Sequence, residues 1–462
     1  MLALAVACGL PAHQASPTLR RNPDHFLETQ LGLDAAGHTY AAAIERDATG
    51  ERLVVRVSDD YGMQWPQVAS FAAGPIGSRR HLDLCTGAPG EVYVVWIEEQ
   101  NGPPDVRFTR SLDGGKTWLP EDRRLSGQPS ASARAVYPVV RSDDRGNVYV
   151  VWLDDREGFA ALYVNRSRDG GDTWLPWDRR LTSLAIGRKS APEFDCDRDG
   201  NLYVAWTEEF TNNRRIVTNV SNDYGETWGI QELPISTGAS ATQAKIVALD
   251  GGTAVAAWLE PARGGGRVFC ARTTDRGLTW ETPRALGTTT VGTASPPRLL
   301  RGERNEVYIA WQVTNPSTAT RIVLASSRDA GARFGELVFE RSTGLGPGLV
   351  DLEGYASEVP IAAVADRAGN VCFSWVETTV GVARLGFDRV GNFGRSWIRA
   401  QPALDMETRL DVGFPENSLP DLVPSIAADD FGHVCLLWNL GHTLLFATSP
   451  FNGDSSWTVQ SF

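Results

Sequence analysis

Short runs of β-branched and aromatic residues recur along the chain, each closed by tryptophan. They are Glu91-Val-Tyr-Val-Val-Trp96, Asn147-Val-Tyr-Val-Val-Trp152, Asn201-Leu-Tyr-Val-Ala-Trp206, Thr253-Ala-Val-Ala-Ala-Trp258, Glu306-Val-Tyr-Ile-Ala-Trp311, Asn370-Val-Cys-Phe-Ser-Trp375 and His433-Val-Cys-Leu-Leu-Trp438, with a faded form at 38–44. Each predicts a β-strand. The copy at Asn147–Trp152, in the third repeat, shows the unit around it. A strand over Val139 to Ser142 enters a turn at Asp143-Asp-Arg-Gly146-Asn, a second covers Val148 to Leu153, a third Ala161 to Ser167, and a fourth starts at Trp174. With the chain running alternately up and down, the first and third turns share one end of the unit. The second turn and the connection to the next unit share the other, where length and composition vary, and variable loops on a rigid scaffold are where function concentrates.

A second motif runs in phase with the strands: Ser58-Asp-Asp60-Tyr-Gly62-Met-Gln-Trp65, Ser111-Leu-Asp113-Gly-Gly115-Lys-Thr117-Trp118, Ser167-Arg-Asp169-Gly-Gly171-Asp-Thr173-Trp174, Ser221-Asn-Asp223-Tyr-Gly225-Glu-Thr227-Trp228 and Thr273-Thr-Asp275-Arg-Gly277-Leu-Thr279-Trp280. A sixth copy ends at Phe334 and eroded copies end at Trp397 and Trp457, which makes eight repeats. Of fifteen tryptophans only Trp177 stands outside the two registers, so tryptophan is scaffold here. The chemistry suits a tight turn: Asp and Ser or Thr oxygens can bond backbone N–H groups, Gly accepts a positive φ, and Trp packs underneath. The motif resembles the Asp-box, or BNR repeat, of the sialidase superfamily and its many non-sialidase relatives. That resemblance implies an all-β fold, a single β-propeller of eight four-stranded antiparallel blades, one per repeat of about 54 residues. The expected organisation is a leader at 1–25 followed by the propeller at 26–462. A chain of 462 residues would otherwise suggest about three domains, but the repeat fills it.

A net charge of -12 disfavours a phosphate-backbone partner, so nucleic acid is not expected. Met1 to Leu10 is apolar but too short to span a membrane. Leu4-Ala-Val-Ala7-Cys8 loosely resembles a bacterial lipoprotein cleavage box, which implies a lipid anchor at Cys8 and an extracytoplasmic location, with a disordered leader as the alternative. The other five cysteines read as buried small hydrophobes rather than disulfide partners.

Repeats provide an internal test: what every unit shares holds the unit, and what one unit alone carries breaks the symmetry. The core position of the first strand is apolar throughout: Leu31, Leu84, Val140, Phe194, Ile246, Leu299, Ala363, Ile426. The position before it reads Gln30, Asp83, Val139, Glu193, Lys245, Arg298, Ala362, Ser425. Asp83, Glu193, Lys245 and Arg298 are therefore the first candidates, unless opposite charges simply neutralise one another around a solvated channel. Acids two residues past the strand tryptophan, at Glu45, Glu98, Asp154, Glu208, Glu260 and Glu377, recur too often to be a site. They read as loop braces, partnered by arginines of Asp122-Arg-Arg124 and Asp178-Arg-Arg180, although two of them held about 5 to 9 Å apart would suit a glycosidase. Asp195-Cys-Asp197-Arg-Asp199-Gly200 looks like the start of a calcium loop, yet Trp206 stands where an EF-hand needs Glu. No other cofactor is indicated, and no His or Cys pair has zinc spacing.

The family resemblance also implies catalytic roles. Sialidases grip a substrate carboxylate with arginines and use a Tyr nucleophile assisted by Glu and an Asp acid/base, on the face opposite the Asp-boxes. Loop-end arginines are Arg79, Arg80, Arg134, Arg188, Arg298 and Arg409, while Tyr355 with Glu358, and Asp83, are the matching catalytic candidates. The Phe/Tyr-Arg-Ile-Pro signature of that family is absent, and its propeller has six blades rather than eight. Two readings follow: a propeller that binds a glycan or protein partner on its loop-rich face, especially at Gly335 to Val359 and Ile398 to Leu422, or a sialidase-like glycoside hydrolase.

Overall fold

The computed structural model describes residues 25–47, 50–72, 78–99, 102–127, 134–183, 187–211, 213–229, 232–262, 265–287, 292–315, 318–340, 361–366, 368–379, 382–398, 406–409, 424–429, 432–440, 443–449 and 457–462. These form eight antiparallel sheets, one per repeat, and no helix occurs among them. Blades 1 to 8 occupy 25–72, 78–124, 135–180, 188–234, 242–285, 293–340, 362–409 and 425–461. Their innermost strands touch in order around a ring that closes from blade 8 to blade 1. The eight-bladed propeller expected from the repeat is the fold observed.

Period-two alternation on the second strand builds the core. In blade 3, Val148, Val150 and Trp152 pack against blade 2, and Tyr149, Val151 and Leu153 pack against blade 4. Both faces of the strand are therefore buried, which is why its sequence is apolar without interruption. Eight such clusters fill the eight gaps between blades. Trp152 has no exposed surface; truncating such a side chain costs about 3–5 kcal/mol. Trp177, outside the register, is 70% exposed.

The Asp-box does two jobs. Asp169 Oδ1 accepts the Thr173 N–H at 2.8 Å and the Ser167 hydroxyl at 2.6 Å, while Ser167 Oγ accepts the Gly171 N–H at 2.8 Å. The box also fastens neighbouring blades. A Cβ on Gly171 would lie 2.7 Å from the Phe108 ring of the preceding blade, and Trp174 meets that same ring edge-on at 4.8 Å. The Gly170 N–H donates to the Gly146 carbonyl at 2.8 Å, placing box and first turn at one end as the alternation predicts.

Two strand boundaries differ from the sequence reading. The first strand of blade 3 starts at Ala135, four residues early, across a bulge, and the fourth is only Arg179–Arg180. A bulge breaks the alternation that sequence patterning relies on. Ring closure uses side chains, because blades 1 and 8 are each continuous in sequence. Tyr61 stacks on His433 with centroids 3.6 Å apart, Trp65 meets Phe446 edge-on, and the Ser425 hydroxyl donates to the Thr29 carbonyl at 3.3 Å. The five described cysteines are free thiols, four of them buried.

Candidate functional site

Around the channel, residues adjacent to the core position of the innermost strand reach forward to the next blade. Asp83 Oδ2 accepts the Val140 N–H at 2.9 Å and pairs with Arg141 at 3.1 Å. Glu193 pairs with Lys245, and Arg298 Nε donates to the Ile361 carbonyl at 2.9 Å. The four charges singled out by the register are thus laced blade to blade: Glu193 and Lys245 meet each other, while Asp83 and Arg298 bond other groups of the next blade. Burial raises the Asp83 carboxyl, opposed by Arg141 and the Val140 N–H, and burial lowers the Arg298 guanidinium, opposed by Glu193. Protein surrounds these groups although they remain accessible from the channel, so desolvation still dominates.

Further along the same strands lie Arg141, Asp195 and Arg301, which the sequence test passed over as channel groups because it examined one position only. They line two contiguous cavities of about 390 and 270 Å³ toward the Asp-box end of the channel. Val364, Ala365 and Ala428 add a small apolar patch, and Arg198, Glu303 and Asp366 also line the larger cavity.

At the loop-bearing end, the repeated acids are braces, as expected, but with different partners. Glu98 holds Arg79 at 2.7 Å and Arg107 at 3.3 Å; Glu208 holds Lys189 at 3.6 Å and Arg215 at 2.7 Å; Glu45 holds Arg52 and Arg56. Asp154 binds Arg156, which also reaches Asp178 at 2.8 Å. The arginines proposed for the bracing turn elsewhere, Arg124 to Asp105 and Arg180 to Glu157. For Glu45, Glu98 and Glu208 the neighbouring strands already present a cation across the sheet, and Asp154 takes Arg156 of its own loop, so the connection is not needed. Arg79 is consumed by this bracing: its side chain is 1% exposed and also donates to the Glu51 carbonyl at 2.6 Å. Arg80 pairs with Glu99 at 3.4 Å, whereas Arg134 and Arg188 are exposed.

The same mouth carries a feature that the sequence reading missed. His81, Tyr137 and Gln243 occupy one register position in blades 2, 3 and 5, three residues before the core position, and all adopt positive φ, at 54°, 53° and 58°. Each sits at a bulge of the first strand. Left-handed backbone in a bulky residue is costly and concentrates where a side chain must be re-aimed. The Tyr137 N–H donates to His81 Nδ1 at 3.3 Å and the two rings lie 4.2 Å apart, with Tyr137 44% exposed. That bond requires an unprotonated Nδ1, and burial, reinforced by Arg80, lowers the His81 pKa to about 4.

A model of the BNR repeat-like domain matches residues 90–344, more than half of the chain. The chain belongs to this family. No curated protein matches it. Among solved structures, this BNR repeat chain is similar to a Dyadobacter fermentans protein of unknown function, at 18% identity and TM-score 0.41 over 78% of this chain and 92% of that one. It is also similar to a PL25 ulvan lyase, at 11% identity and TM-score 0.46 over 81% and 89%, and to the GH93 α-L-arabinofuranosidase of Fusarium graminearum, at 13% and 0.40 over 68% and 93%.

Within the BNR propeller the three aspartates of the calcium expectation do not converge. Asp195 accepts the Ala248 N–H of the next blade at 2.8 Å, and Asp197 caps its own turn through Asp199 N–H and Asn201. Among the described residues no group of three His, Cys, Asp or Glu could hold a metal ion. Among them also no helix is long and apolar enough to cross a membrane. Tyr355, Glu358 and Cys8 lie outside the described residues, as does the side chain of Arg409.

Proposed function

We propose that this protein is a carbohydrate-binding propeller that takes its ligand at the loop-bearing mouth of the channel. The observation that carries the reading is Tyr137, held in a left-handed conformation with its ring exposed against His81. An exposed aromatic face offers a sugar ring its C–H surface, and Arg134 and Arg188 supply rim donors for hydroxyl or acidic groups. The hydrolase alternative is less well supported, since Arg79 is bound into the scaffold and Arg298 serves the Ile361 carbonyl. A glycan array with the full chain, repeated with Tyr137→Ala, tests the proposal: a hit lost in the variant supports it, and an unchanged hit refutes it. Release of a fluorogenic sialoside that vanishes in Arg298→Ala would establish the hydrolase instead. The extracytoplasmic, lipid-anchored setting belongs to the same proposal. Labelled palmitate should enter the wild type and not Cys8→Ser; equal labelling of both rejects the anchor.

A further inference from the structure

The Asp-box end of the channel holds charged groups whose bonding capacity the scaffold uses only in part. Asp195 lies among Arg141, Arg301 and the small apolar Val364, Ala365 and Ala428, in a cavity that Arg198, Glu303 and Asp366 also line. Asp195 accepts one backbone N–H on each oxygen, from Cys196 at 3.0 Å and Ala248 at 2.8 Å, which leaves lone pairs on both. Each guanidinium uses only Nη1: Arg141 toward Asp83 and the Val140 carbonyl, Arg301 toward the Ala248 carbonyl at 3.2 Å. No ion pair joins Asp195 to either, although both act on its carboxyl electrostatically. Asp195 and Arg301, in no ion pair with each other, thus face one cavity together with the spare N–H groups of Arg141, and Val364, Ala365 and Ala428 give it a small apolar patch; of the other charged groups in its lining, Arg198 is paired with Asp144 at 2.9 Å and Asp366 caps its own turn through Asn370, while Glu303 completes the rim.

We propose that this cavity binds a small aliphatic zwitterion of the α-amino acid type. Its carboxylate would take the remaining guanidinium N–H groups, its ammonium would donate to Asp195, and a short side chain would lie on Val364, Ala365 and Ala428. Charge-assisted bonds are about twice as strong as neutral ones, so such a ligand outcompetes a neutral hydroxyl. It also brings no net charge into the channel, avoiding the desolvation cost of a lone ion. A simple carboxylate would face Asp195, and a simple amine would face the arginines. The site is separate from the Tyr137 mouth and stands without that reading.

The test is titration calorimetry on the full chain with L-valine, acetate, ethylamine and a neutral hexose. Saturable binding of L-valine, with acetate and ethylamine at least tenfold weaker, is expected. Asp195→Asn, Arg301→Gln and Ala365→Leu should each weaken valine at least tenfold, and Tyr137→Ala should leave it unchanged. Circular dichroism verifies folding, and Ala428→Leu fills the same cavity from blade 8 should a first variant fail to fold. No saturable valine binding overturns the proposal. So does acetate binding as tightly as valine, hexose binding that Ala365→Leu abolishes, or valine binding that survives both leucine variants.

Discussion

Arg79→Met separates scaffold from site, because the family resemblance makes Arg79 a ligand-gripping residue and its surroundings make it a brace. The guanidinium is 1% exposed and faces Glu98, itself 6% exposed. Methionine keeps much of the aliphatic packing but removes the bond to Glu98 and that to the Glu51 carbonyl. Breaking a buried pair by deleting one partner costs about 3–5 kcal/mol. Arg107 remains 3.3 Å from Glu98, so the lower end, about 3 kcal/mol, is expected.

Urea unfolding followed by tryptophan emission measures this, and glycan binding is measured alongside. Burial already raises the Glu98 carboxyl, with Arg79 the leading opposing influence. Without Arg79 the folded-state value rises further above the unfolded one. The resulting penalty is present at neutral pH and relieved as pH falls through the folded-state value, so the deficit should narrow on acidification. Arg79→Met/Glu98→Leu should be more stable than Arg79→Met alone, with a coupling of about 1–3 kcal/mol. A loss below about 1 kcal/mol together with abolished glycan binding would show that Arg79 faces the ligand, and the bracing argument would fall.

Asp169→Asn should cost about 0.5–1 kcal/mol at pH 7 by urea titration, the box being exposed. Desolvation acts upward on Asp169, but the bonds from Ser167 and Thr173 together hold it at about 2, so its stabilisation is present above the unfolded value near 4 and lost as pH falls toward 2; a gap from wild type that persists below pH 2 would contradict this. Tyr61→Ala removes the ring stacked on His433 at the closure, worth about 0.5–1.5 kcal/mol beyond its area, and hydrogen exchange should quicken in Val434–Leu440 while Val148–Asp154 is unaffected. At Tyr137 the usual strand ranking should invert: Tyr137→Gly accepts φ 53° and should be more stable than Tyr137→Ala by about 1 kcal/mol, with glycan binding lost in both; alanine proving the better residue would remove the strain argument.

The repeat made the scaffold legible because its two motifs act at every blade. Val148 to Trp152 could be read as a strand since both of its faces are buried, and the Asp-box since Asp169 Oδ1 and Ser167 Oγ each accept a backbone N–H within the turn. The channel was only half legible. Asp83, Glu193, Lys245 and Arg298 stood out by register, but whether a charge meets a ligand or the next blade depends on the forward tilt of its strand, which the sequence does not write. Misassigned brace partners have the same origin: Glu98 and Arg79 are neighbours across a sheet, Glu98 and Arg124 only along the chain's path.

His81 and Tyr137 were hidden for a different reason. The register was counted back from a regular strand, and the bulge that turns these residues into the channel mouth inserts an irregularity just before the counted positions. The signal was nonetheless present, since His81, Tyr137 and Gln243 are unlike one another at a position three residues before an invariably apolar one. A residue that the repeat leaves free to vary and the backbone then holds in an unfavourable conformation carries two independent marks of function. The four laced charges carry only the first mark, and that difference is the reason for proposing Tyr137 rather than them as the glycan contact.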